Sequence, residues 1–128
     1  MAQFLTMQTI EVQILNDDYL LRRVPFQNPN YIKADQTLTS YAFQPRKIDK
    51  DGLSVDVEKL TSYEKSIQDP ATYRLYKIRV EEVKNLGFNC QYNPSKNNPA
   101  HALIIGNFNK NNQRQLAQKA IKINYPTV

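Results

Sequence analysis

The chain has 128 residues, the size of one domain, and its 41% apolar and 23% charged residues argue against a disordered polypeptide. No apolar run approaches the length that spans a bilayer, and the first residues carry neither the basic start nor the apolar stretch of a secretory signal. A single cysteine and a single histidine exclude an intrachain disulfide and a two-histidine metal centre.

These features predict one cytoplasmic domain over residues 1–128, with no cofactor and no metal. The net charge of +5 is unevenly spread. Residues 1–64 carry seven Lys/Arg against nine Asp/Glu, residues 65–128 carry ten against three, and no acid follows Glu82. A one-signed segment of this kind suits an anionic partner such as nucleic acid.

In chain order, Gln8 to Leu15 alternates polar with apolar residues and predicts a half-buried strand. Asn16-Asp17-Asp18 predicts a turn, and Tyr19 to Val24 a second strand stopped by Pro25. Gln36 to Phe43 predicts a short strand. Asp51-Gly52 is a turn dipeptide, and Leu53-Ser54-Val55-Asp56-Val57 leaves it as a strand. Thr61 and Glu64 have capping-box spacing for a helix that Pro70 must end.

Leu75 to Val80 predicts a strand with Tyr76, Ile78 and Val80 on one face. Val80, Val83 and Leu86 predict a short helix, with Gly87 at its left-handed cap. Phe88, Cys90 and Tyr92 alternate as a strand. His101 to Phe108 is the most continuous apolar run and predicts a central strand. A C-terminal helix follows, with Leu116, Ala117, Ala120 and Ile121 as its buried face and Lys110, Arg114, Gln118 and Lys122 as an exposed, mostly basic stripe. The expected fold is α+β: one mainly antiparallel or mixed sheet of about six strands with the C-terminal helix packed on it.

The residues suited to chemistry are few. His101 opens a buried strand, where it serves either as a base and ligand contact or as a cap on a neighbouring carbonyl. Arg22 and Arg23 point to opposite faces of their strand, as carboxylate or phosphate contacts or as partners of Glu11, Asp17 or Asp18. Tyr41 completes the candidate catalytic set. Cys90, lying between Phe88 and Tyr92, reads as a small hydrophobe rather than a nucleophile beside His101. Candidate binding residues are Arg74, Lys77 and Arg79, interleaved with Tyr73 and Tyr76, and the helical Lys110, Arg114 and Lys122. The three glycines fit no phosphate-binding loop.

Four stretches, Tyr19-Leu-Leu-Arg-Arg-Val24, Ser40-Tyr-Ala-Phe43, Gly52-Leu-Ser-Val55 and Asn98-Pro-Ala-His-Ala-Leu-Ile-Ile-Gly106, resemble in order and spacing a group of small uncharacterised bacterial single-domain proteins, which implies no activity. A looser likeness to ADP-ribosyltransferase-like folds sets Arg22 or Arg23, Ser40 or Tyr41, and Glu81 or Glu82 in that order. Three readings follow. The first is a non-enzymatic binding or accessory protein that engages a partner, nucleic acid or another protein, through its basic half. The second is an enzyme acting on a nucleotide or phosphate-containing substrate. The third is a structural subunit of a homo- or hetero-oligomer whose exposed sheet edge or apolar patch another chain covers, a homodimer through an edge strand or the C-terminal helix included.

Overall fold

A computed structural model describes residues 12–46 and 52–126. Within them the chain forms an open, six-stranded antiparallel sheet with short helices, an α+β fold. The strands are β1 (Tyr19–Pro25), β2 (Leu53–Val57), β3 (Tyr73–Arg79), β4 (Asn89–Tyr92), β5 (His101–Ile105) and β6 (Ile121–Lys122). Their order across the sheet is β4-β5-β2-β1-β3-β6. The helices are α1 (Tyr63–Ile67), α2 (Val80–Asn85) and α3 (Lys110–Lys119), with 3₁₀ turns at Ser40–Phe43 and Glu58–Leu60.

Alternation along the strands divides the buried residues between two faces. Leu20, Val24, Val55, Val57, Tyr76, Ile78, Ala102 and Ile104 form the main core. Phe43 from the 3₁₀ turn, Val83 from α2 and Leu116 and Ala117 from α3 close over it. Leu21 and Leu75 point the other way into a smaller cluster with Ile67 of α1 and Ile123. Leu75 is therefore as buried as Tyr76, although it sits on the opposite face. That second face also carries Arg23, Ser54, Asp56 and His101, and the candidate site lies there.

Local signals explain most elements. The carbonyls of Asp18 and Asn16 accept from Val80 N and Glu81 N, so the preceding turn satisfies the first amides of α2. Gly87 follows α2 at φ +94°, as its place after Leu86 predicts. Gly52 has φ +145°, and a Cβ there would lie 2.7 Å from the Ile104 carbonyl oxygen. Glycine lets β2 start directly beside β5.

Several expectations are corrected. Residues 8–11 of the first predicted strand lie outside the described residues, and its remainder, 12–15, is not a strand. Both edges of β1 are occupied by β2 and β3, and Val12 and Leu15 are exposed. The predicted strand from Gln36 to Phe43 is a single bridge, Ile32 to Leu38, followed by the 3₁₀ turn. That turn puts the consecutive residues Ala42 and Phe43 into the same core, whereas a strand would send them to opposite faces.

Ser62 rather than Thr61 caps α1, its Oγ accepting from Lys65 N at 3.2 Å. The C-terminal helix ends at Lys119; Ala120 is extended, and Ile121 and Lys122 pair with Lys77 and Tyr76. Lys122 therefore leaves the helical stripe, and Ile121 is 54% exposed. The open edge of β3 captures two residues that helical periodicity assigned to α3.

Candidate functional site

The site begins where two strands part. β1 and β2 pair only at Leu20 with Val57 and Leu21 with Asp56, whereas β1 runs its whole length against β3. Arg22 shares the face of the main core but its guanidinium cannot enter an apolar interior unpaired. It turns instead into the opening, with Nε donating to the Ala42 carbonyl at 2.8 Å and Nη1 to the Ser54 carbonyl at 2.9 Å. Arg22 thus ties β1, β2 and the 3₁₀ turn together where the ladder stops. Arg23, on the opposite face, donates from Nη1 to the Ser66 carbonyl at 2.8 Å and lies over the Tyr73 ring at 5.5 Å.

Ser54 and Asp56 project from β2 onto that second face. Asp56 is only 6% exposed, and its carboxylate accepts from Ser66 Oγ at 2.6 Å and Asn98 Nδ2 at 2.8 Å. A buried carboxylate is tolerated when hydrogen bonds replace its water. Asn98 is itself fixed, because its Oδ1 accepts from Ala100 N at 3.1 Å and its amide donates to Ser95 Oγ at 3.1 Å.

His101 pairs with Asp56 in the β2–β5 register, which sets it diagonal to Ser54. Its Nδ1 lies 2.8 Å from the Asn93 carbonyl and its Nε2 lies 3.2 Å from Ser54 Oγ. A carbonyl only accepts, so Nδ1 carries the proton; in the neutral ring Nε2 then accepts from the Ser54 hydroxyl.

These groups line two adjoining clefts. One, of about 80 Å³, is bounded by Arg22, Arg23, Arg46, Ser54, Asp56 and His101. The other, of about 250 Å³, shares the three arginines and is walled by Tyr31, Tyr41 and Tyr73. Lys110 Nζ sits 4.8 Å from the centre of the Tyr41 ring. All four candidate catalytic residues, Arg22, Arg23, Tyr41 and His101, are brought to this region.

The remaining candidate binding residues are dispersed. Arg74 stacks on Phe26 at 3.8 Å and donates to the Pro70 and Tyr73 carbonyls. Lys77 lies over Tyr19 at 4.4 Å, on the face of β3 opposite to Arg74. Arg79 pairs with Asp17 and with Glu81, Arg114 donates to Asn111, and Lys122 donates to Gln36. Tyr76 is buried and donates its hydroxyl to the Gln36 carbonyl at 2.7 Å, so its ring is not offered to a base.

Asp17 and Asp18 pair with Arg79 and Lys59 rather than with Arg22 or Arg23. Glu81 and Glu82 pair with Arg79 and Lys119, at the Tyr19 end of β3, and line neither cleft. The arginine, Tyr41 and glutamate of the looser likeness are therefore not assembled. Cys90 lies opposite Ile104 and packs on the main core, on the other face from His101, and burial pushes its thiol up to about 11.

Ser54, Asp56, Asn98 and Arg46 were not singled out by the sequence. The alternation of residues 53–57 did place Ser54 and Asp56 together on the polar side of a strand. What it lacked was the β5 neighbour, 47 positions away, that turns a polar face into a site.

Among the described residues, no group of three His, Cys, Asp or Glu is placed to hold a metal ion, and no helix is long and apolar enough to cross a membrane. No family model, curated protein or solved structure matches the chain.

Proposed function

We propose that the protein binds a nucleotide-like ligand, with its phosphate among Arg22, Arg23 and Arg46 and its flat ring against Tyr31, Tyr41 and Tyr73. One observation carries this reading: the same three arginines line both adjoining clefts, one closed by tyrosines and the other by Ser54 and His101. Guanidinium groups present planar donor forks that match phosphate oxygens. Tyrosine faces stack on any base, which gives affinity without demanding one sequence. The ligand is a free mononucleotide or the end of a single strand, both of which offer this chemistry. The excess of basic residues in the second half of the chain favours the approach of either one.

The test is thermal unfolding with inorganic phosphate, a nucleoside monophosphate, the matching nucleoside and a short single-stranded oligonucleotide. A ligand at about 100 times its Kd stabilises the folded state by about 2.7 kcal/mol. The monophosphate is expected to raise the midpoint more than phosphate does, and the nucleoside is expected to leave it unchanged. Tyr41 is 49% exposed, so Tyr41→Ala is expected to weaken the monophosphate effect while sparing that of phosphate. A larger shift with the oligonucleotide identifies the strand end as the ligand. An unmoved midpoint with all four at millimolar concentration overturns the reading.

A further inference from the structure

The polar cleft holds an arrangement that ligand binding alone does not use. Ser54 Oγ lies within hydrogen-bond reach of His101 Nε2, at 3.2 Å, and the other ring nitrogen is fixed on the Asn93 carbonyl at 2.8 Å. A hydroxyl, a base that accepts its proton and a third group that orients the base make up the parts of an activated nucleophile. The order of roles is set by chemistry: the carbonyl takes the Nδ1 proton, which leaves the Nε2 lone pair aimed at the serine.

Both members are held from behind. The Ser54 carbonyl accepts from Arg22 Nη1 at 2.9 Å, and the His101 carbonyl accepts from Asn93 N at 2.9 Å. Asp56 stands beside the pair but is not its orienting group, since its carboxylate is engaged by Ser66 and Asn98. Ser54 and His101 both line the small cleft, so the pair faces the space that the arginines share.

We infer that Ser54 and His101 are a nucleophile and general base for the hydrolysis of a phosphate ester; this rests on the reading of the cleft as a phosphate site. Ser54 Oγ attacks phosphorus, its proton passes to His101 Nε2, and the Oγ–P bond forms as the bond to the leaving alkoxide breaks. The alkoxide takes the proton from Nε2 and departs as an alcohol. Water then attacks the phosphoserine and gives a proton to Nε2. The P–Oγ bond breaks, and Ser54 recovers the proton. Guanidinium groups around the phosphoryl oxygens offset the charge that builds on them, the term that usually dominates such catalysis. The net change is ester plus water to alcohol plus phosphate, with no redox partner.

The test uses the full chain and two probes. A fluorophosphonate forms a covalent bond to an activated serine with loss of fluoride, and p-nitrophenyl esters of phosphate report turnover. Labelling is expected at Ser54, located by peptide mass. It should be absent in Ser54→Ala and reduced by about 10²–10⁴-fold in His101→Gln, the usual range for loss of a general base. Nitrophenol release is expected to fall in parallel, while both variants keep a single cooperative unfolding transition without ligand and so show an intact fold.

A wild-type chain that responds to phosphate but neither labels nor turns over overturns the catalytic inference and leaves the binding reading standing. Release that survives Ser54→Ala also overturns it. Labelling at Ser54 in a chain that ignores phosphate overturns the phosphate-ester assignment together with the binding reading.

Discussion

The two faces of the sheet are built from the same strands by the same alternation, yet they do opposite things. One face is a continuous apolar layer sealed by the 3₁₀ turn, α2 and α3. The other is apolar under α1 and at Leu103, and it also carries Arg23, Ser54, Asp56 and His101. On the sealed face the side chains are interchangeable in kind, because burial rewards any well-shaped hydrocarbon. On the open face each polar group is fastened to a particular partner, and among the described residues no buried side-chain nitrogen or oxygen lacks a hydrogen bond. Stability is concentrated on the first face and specificity on the second.

This contrast can be broken by substitution. Leu116 is fully buried where α3 meets the main core, so Leu116→Ala is expected to cost about 2–5 kcal/mol through lost transfer energy and a residual cavity. A denaturant midpoint that barely moves would show that the sealed face does not hold the molecule together.

On the open face, Ser66→Ala removes the 2.6 Å bond to the buried Asp56 carboxylate, and the expected cost is about 1–3 kcal/mol. A neutral result in chemical denaturation would mean that Asp56 finds its hydration elsewhere. The smallest effect is expected outside both faces. Arg114 is exposed and among the described residues holds only Asn111, at 3.2 Å, so Arg114→Glu should shift stability by less than about 0.5 kcal/mol. A larger loss by the same measurement would draw the basic side of α3 into the architecture.

Much of the framework was legible in the sequence. β1, β2, β3 and β5 announce themselves by alternation or by an apolar run, and Gly87 ends α2 where its backbone freedom is needed. The misread elements share one cause. Ile121 and Lys122 became a strand because β3 had an open edge, and the 40–43 segment became a 3₁₀ turn because the core takes Ala42 and Phe43 together. Neither fact is local.

The site divides in the same way. His101, Arg22, Arg23 and Tyr41 stand out by residue type. Ser54 becomes a partner of His101 only through the β2–β5 register. A hydroxyl next to an unremarkable valine carries no signal until the strand opposite it is known.

The strand order has a consequence for how the molecule comes into being. β1 lies near the middle of the sheet, yet its full-length neighbour β3 begins at Tyr73, and β2 gains its second neighbour only with β5 at His101. Every such pairing closes a long stretch of chain before any contact rewards it, which places folding in the slow, topology-limited regime. During synthesis, at about 5–20 residues per second, Ser54 waits seconds for its histidine to emerge. The Ser54–His101 pair therefore cannot form until β5 has emerged, whatever the state of β1 and β2 before it.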